Sequence, residues 1–161
     1  MRESIIALTL LNHPWLLDLY PEEIAAVEFE SHSLTKLKNS ILALHATEDS
    51  LDFPELRSQL SQNGLGAIVA QVERAVTHQS DLFAQPEASR EDVQAGWRQI
   101  SALHHKSLEL ERELEAAERA FQAEGTEEAD ARLRDIRLQL LNAEGTEAAA
   151  ETQAGDSGRS G

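Results

Sequence analysis

The sequence contains no cysteine, which excludes disulfides, thiolate zinc sites and cysteine nucleophiles. Aromatic residues make up only 4% of the chain, and runs of β-branched residues are scarce, whereas Leu, Ala and Glu are the commonest residues and Gln adds to them. Because these four residue types lose little rotamer entropy in a helix, the composition predicts an all-α fold. A chain of 161 residues can bury a sufficient core without a disulfide or a metal ion.

Long hydrophobic runs are also absent from the sequence. The longest covers residues 5–11, with Thr9 inside it, and a membrane-spanning helix needs about 20 apolar residues. Arg2 is followed at once by Glu3, and the start of the chain lacks the small-residue cleavage site of a signal peptide. The sequence therefore predicts a cytoplasmic protein that does not bind membranes.

Positive charge is scarce as well. The chain has 14 Lys and Arg residues against 29 Asp and Glu, a net charge of −15, and its pI is near 4.7. Affinity for nucleic acid depends on clustered Lys and Arg that neutralise phosphates. We therefore expect no direct binding of nucleic acid by this chain.

The first hundred residues carry frequent helix start and stop signals. Pro14 and Pro21 each suit the first turn of a short helix. Ser33 is expected to cap a helix, and Asp52 with Glu55 resembles a capping box. A helix with an apolar stripe that ends on Val76 is expected next, and residues 80–88 are expected to form a loop. This region predicts a compact bundle of short helices.

A longer helical pattern follows, because apolar residues recur in steps of four and three from Val93 to Phe121. The seam predicts a helix of about nine turns, which Gly125 ends before Thr126 caps a second helix. Leucines occupy more than one face of that second helix, so we expect part of its apolar surface to stay exposed for a partner, for self-association or for packing onto the bundle. The seam consists of Val93, Trp97, Ile100, Leu103, Ser107, Leu110, Leu114, Ala117 and Phe121.

The predicted architecture is therefore a compact bundle of short helices followed by a long helix and a C-terminal helical hairpin. The bundle covers residues 1–105 and the hairpin residues 106–147. Residues 148–161 contain mainly Ala, Gly, Ser, Thr and acidic residues, which predicts a disordered tail.

Motifs that would support catalysis or a cofactor are missing. Gly64 and Gly66 lack the third glycine and the preceding strand of a dinucleotide-binding loop. His104 and His105 are adjacent, so they point about 100° apart on a helix and cannot share a metal. The glutamates of residues 109–118 alternate with arginines, as is typical of a solvated helix face. We predict no catalytic, metal or cofactor site in this chain.

An ordered series of short motifs resembles the C-terminal, helicase-binding domain of bacterial DNA primase. The resemblance covers roughly residues 3–147. Its motifs are LLNHPWLL at 10–17, AVTH at 75–78, GWRQ at 96–99, EGTE at 124–127 and LRDI at 133–136.

This resemblance implies a helical bundle followed by a helical hairpin, and it implies a function. Such a domain docks on the N-terminal region of the hexameric replicative helicase and recruits the primase to the replication fork for RNA primer synthesis. The chain itself would not be an enzyme. The complete protein would be a DNA-directed RNA polymerase, with zinc and magnesium in a zinc-binding module and a polymerase domain that this sequence does not contain.

Leucine anchors within a charged rim carry most of the energy at many interfaces. We expect the helicase-facing surface to lie on the second hairpin helix, with Phe121 holding the hairpin tip; the other residues of this surface are Leu133, Ile136, Arg137, Leu140 and Leu141. Trp15 and Trp97 each fall in an apolar stripe, so both are expected in the core, away from any basic stacking surface.

Two other functions remain open at this point. The chain is similar in its helical character to the N-terminal domain of the replicative helicase, and it is also compatible with a free-standing acidic helical adaptor. An adaptor would dimerise through the seam of residues 93–121. A primase module is expected to be a monomer, with dimerisation through the hairpin as the alternative.

Overall fold

The computed structural model describes residues 2–47, 52–75 and 79–156 of the chain, and side chains within residues 2–47, 52–75 and 81–143. Every regular element in these ranges is helical, which confirms the all-α prediction, and a long helix precedes the C-terminal one. The elements are α1 Arg2–Asn12, α2 Leu16–Leu19, α3 Pro21–Ala26, α4 His32–Thr47, α5 Phe53–Gln62, α6 Gly66–Glu73, a 3₁₀ helix Gln79–Ala84, α7 Arg90–Glu124 and α8 Glu127–Asp156.

The chain forms two compact units, which divide between Ser101 and Ala102. The first unit is built around α1, in which every residue from Ile5 to Asn12 is buried. A helix that is apolar on all sides has to be surrounded, and α1 packs against α4, α5, α6 and the 3₁₀ helix. The same core includes Trp97, from the first part of α7.

A side-chain cap and a glycine set the two ends of α5. Asp52 Oδ1 accepts a hydrogen bond from Glu55 N at 2.9 Å, so the cap predicted at Asp52 is confirmed. Gly64 has a φ of 83° just beyond α5, the left-handed conformation that commonly ends a helix. The cap predicted at Ser33 is wrong. Helix α4 begins at His32, and Ser31 Oγ accepts the bond from Leu34 N at 3.4 Å.

The start of α4 also receives a carboxylate from α1. Glu3 Oε1 accepts a hydrogen bond from Glu30 N at 2.6 Å, and Glu3 Oε2 accepts one from Ser31 N at 3.3 Å. A carboxylate is favourable at this position because the first N–H groups of a helix carry a partial positive charge. The local sequence contains only part of this cap.

The segment before α7 is helical where the sequence predicts a loop. A 3₁₀ helix covers Gln79–Ala84, and buried polar groups of α1 hold its end. Asn12 Nδ2 donates to Ala84 O at 2.8 Å, and His13 Nε2 lies 2.9 Å from Gln85 O. These tertiary contacts outweigh the local preference of residues 80–88 for a loop. Val76, expected to end the stripe of the preceding helix, lies outside the described residues.

The second unit contains the rest of α7 and all of α8. Gly125 has a φ of 60°, and Thr126 Oγ1 accepts a hydrogen bond from Ala129 N at 3.2 Å, so the predicted break and cap are confirmed. Helix α8 continues to Asp156, which differs from the tail predicted from residue 148. The alanines at 148–150 favour this extension, because alanine has the highest intrinsic helix propensity. Residues 157–161 of that tail lie outside the described residues.

Candidate functional site

The hairpin has a small apolar core between α7 and α8. Ala117, Leu133 and Ile136 are buried there, and Leu114 and Leu140 are half-buried against them. The three α8 positions follow the spacing i, i+3 and i+7, which places them on one face of the helix. This face of α8 is therefore occupied within the hairpin itself.

A second apolar face of α8 has no such cover. The exposed fractions of Leu138 and Leu141 are 56% and 63%. Arg134 and Arg137 precede them by one turn each, so the four residues follow the spacing i, i+3, i+4 and i+7 and share one face. We call Arg134, Arg137, Leu138 and Leu141 the α8 strip.

Both arginines of the α8 strip pair with carboxylates of the hairpin. Arg134 pairs with Asp130 one turn earlier on α8, and Arg137 Nη2 lies 3.6 Å from Glu118 Oε1 on α7. The arginine side chains remain 71% and 55% exposed. Ion pairs as exposed as these contribute at most about 1 kcal/mol, so a partner's carboxylates could replace the present ones at little cost.

The six residues expected to face a partner do not share one surface. Leu133 and Ile136 are buried in the hairpin core, and Leu140 is half-buried beside them, because these three form an inward-facing stripe among the described side chains of α8. Arg137 and Leu141 lie on the exposed strip. Phe121 is 37% exposed in the last turn of α7.

Sequence reasoning did not include Leu138 and Arg134 among the partner-facing residues. The signal that identifies them is the second i, i+3, i+4, i+7 series on α8, displaced around the helix from the inward series. The seam of α7 is partly used inside the chain: Val93, Trp97, Leu110 and Ala117 are all buried.

Trp15 in the first unit belongs to an aromatic and basic cluster. The Arg90 guanidinium lies 4.4 Å from the centre of the Trp15 ring, and the His13 ring meets that ring edge-on with centroids 6.0 Å apart. Trp15 is half-buried and packs against the hydrophobic core, but the expectation that it has no basic neighbour is wrong. Trp97 is fully buried, as predicted.

His13 and Lys38 are buried side chains of this unit that form hydrogen bonds with backbone carbonyls. Burial lowers the pKa of His13, and its hydrogen bonds to the carbonyls of Gln85 and Phe83 oppose that effect. Burial also lowers the pKa of Lys38, whose Nζ donates to Ala25 O at 3.1 Å and to Val27 O. Both arrangements satisfy carbonyls at the ends of short elements.

Within the described ranges, no group of three or more His, Asp or Glu side chains is placed to hold a metal ion. None of the described helices combines the length and the apolar character that crossing a membrane requires. Comparisons with family models, with curated proteins and with solved structures gave no match to this chain.

Proposed function

We propose that this chain is a non-catalytic docking module of bacterial DNA primase, which binds the N-terminal region of the hexameric replicative helicase. In this role it would recruit the primase to the replication fork for RNA primer synthesis. The proposal rests on the family resemblance of the sequence motifs, and one structural observation supports it. That observation is the exposed leucine pair of Leu138 and Leu141 on a hairpin whose core is already filled.

The exposed pair favours binding of a partner protein for an energetic reason. Fully burying one leucine side chain stabilises an interface by about 1.5–3 kcal/mol. Interface centres are more apolar than the surrounding surface and are enriched in arginine, and the exposed leucine pair next to two arginines has both features. An adaptor that dimerises through the α7 seam is less well supported, because Val93, Trp97, Leu110 and Ala117 of that seam are buried within the chain.

The test is calorimetric titration of the full chain into the helicase hexamer of the same organism. We expect saturable binding that Leu141→Asp weakens by at least about thirtyfold, the effect of losing a central anchor. Leu82→Asp is the matched control, because Leu82 is 52% exposed but belongs to the first unit. A folded chain that does not bind the hexamer would refute the proposal.

A further inference from the structure

The α8 strip combines two kinds of side chain that are not found together on the exposed side of α7. Residues 109–119 of α7 carry acidic side chains and arginines, and the exposed positions among them include no large apolar residue. On α8, the leucines at 138 and 141 each follow an arginine by one turn. The apolar anchors of the hairpin are therefore next to positive charge.

The charged residues of the strip itself differ in sign from the molecule as a whole. The chain carries a net charge of −15, yet the two charged residues of the strip are both arginines. Arginine presents a planar fork of N–H donors that matches a carboxylate in two parallel hydrogen bonds. The carboxylates that now occupy these forks, Asp130 and Glu118, are themselves 40% and 45% exposed, so the guanidinium groups remain accessible to other acceptors.

From this arrangement we propose that the α8 strip docks into an apolar groove on the partner that is edged by carboxylates. Leu138 and Leu141 fill the groove, while Arg134 and Arg137 exchange their intramolecular carboxylates for those of the partner. The partner of the α8 strip is thus a protein surface with an apolar centre and acidic edges. This inference rests on the proposed function, for which the partner surface belongs to the replicative helicase.

The proposal makes the ionic contribution separable from the apolar one. Charge pairs at the rim of an interface act mainly on the association rate and on its salt dependence. Desolvated leucine anchors act mainly on the dissociation rate. Charge reversal at the arginines should therefore slow association and flatten the salt dependence, whereas the uncharged truncation Leu138→Ala should speed dissociation.

The experiment is a kinetic binding measurement on the helicase hexamer at several salt concentrations. We expect the double variant Arg134→Glu/Arg137→Glu to weaken binding by at least about tenfold, because like charges would then face each other at close range. The loss should be smaller at high salt. Arg134→Gln/Arg137→Gln should give an intermediate loss. Thermal unfolding of each variant verifies that the hairpin remains folded, because both substitutions also remove the pairs with Asp130 and Glu118.

Arg132→Glu is the matched control for each single reversal, Arg134→Glu or Arg137→Glu, because the charge change is then identical and the residue lies on the same helix. At about 100° per residue, Arg132 is roughly 200° around α8 from Arg134, and it is exposed. It should leave binding within about twofold of the unchanged protein, allowing for the long-range effect of the charge. An equal loss of affinity in Arg132→Glu would show that only the net charge matters and would refute docking through the arginines of the α8 strip.

The possible outcomes separate the two proposals. Binding that Leu141→Asp abolishes, but that the arginine variants and salt leave unchanged, retains helicase docking and refutes the acidic groove. Concentration-dependent dimers of the chain alone, removed by Leu141→Asp, would assign the strip to a second copy instead. Absence of binding to the hexamer by a folded monomer refutes both proposals together.

Discussion

Gly96 of α7 allows one sharp test of how the first unit is packed. A Cβ placed on this glycine would lie 2.2 Å from Cγ of Phe83 and within 2.5 Å of both Cδ atoms. Contacts this short require the Phe83 ring to leave its position. Gly96→Ala therefore adds a methyl group where the fold has no space, in a helix where alanine would otherwise be preferred.

The two effects have opposite signs and can be weighed. Replacing glycine by alanine inside a helix stabilises it by about 1 kcal/mol, whereas overpacking costs about 1–3 kcal/mol. Because the added methyl group meets the ring itself, we expect overpacking to cost about 3 kcal/mol. After the gain in helix propensity is subtracted, Gly96→Ala should lower the free energy of unfolding by about 2 kcal/mol. In a Phe83→Ala background the collision is gone, and Gly96→Ala should stabilise by ~1 kcal/mol.

Urea denaturation of the unchanged protein, the two single variants Gly96→Ala and Phe83→Ala, and the double variant measures the coupling between the two positions. The expected coupling is about 3 kcal/mol, at the upper end of the values seen for residues in contact. Ala95→Gly is the control, since Ala95 is exposed on the neighbouring position and should cost about 1 kcal/mol in either background. If Gly96→Ala stabilises the protein equally with and without Phe83, the packing described here is wrong.

Three further predictions follow from burial and charge. In urea denaturation, Trp97→Ala should lower the free energy of unfolding by about 3–5 kcal/mol. Trp97→Phe should cost clearly less, because the buried Trp97 Nε1 has no hydrogen-bond partner to lose. Equal costs for the two substitutions would contradict this. Leu133→Ala should lower the free energy of unfolding by about 2–5 kcal/mol, whereas Leu138→Ala should change it by less than about 0.5 kcal/mol. Melting temperatures that fall equally in the two variants would contradict a buried face with Leu133 and an exposed face with Leu138. Burial lowers the pKa of His13 in the folded protein, so the unfolded chain binds more protons than the folded one between the folded pKa and 6.5. Stability should therefore fall as the pH decreases from 6.5 towards the folded pKa and should not vary with this group well above 6.5. Urea denaturation at several pH values measures this slope, and His13→Gln should reduce it; an unchanged slope would contradict the assignment to His13.

The sequence predicts the helices of this fold better than it predicts the contacts between them. Caps at Asp52, Gly64 and Thr126 are local, since each depends on a residue at most a few positions from the group it satisfies. The 3₁₀ helix and the cap on α4 were not predicted, because Asn12, His13 and Glu3 act on residues that are distant in the sequence. Nothing in the local pattern distinguishes such a residue from an ordinary surface residue.

The candidate site shows the same division. Periodicity places Leu133, Ile136 and Leu140 on one stripe, but it does not say whether that stripe faces α7 or a partner. The structure assigns it to the hairpin core, which leaves the series that contains Leu138 and Leu141 exposed. The sequence predicted exposed apolar surface on this helix correctly, but it distributed the residues over both faces.

The carboxylate of Glu3 has a practical consequence for any shortened or fused version of this protein. It accepts hydrogen bonds from the N–H groups of Glu30 and Ser31, so cutting the chain after its third residue would remove the acceptor of both groups, although α4 itself is untouched. Expression boundaries should therefore be placed ahead of residue 3, even though Arg2, Glu3 and Ser4 lie outside the hydrophobic core.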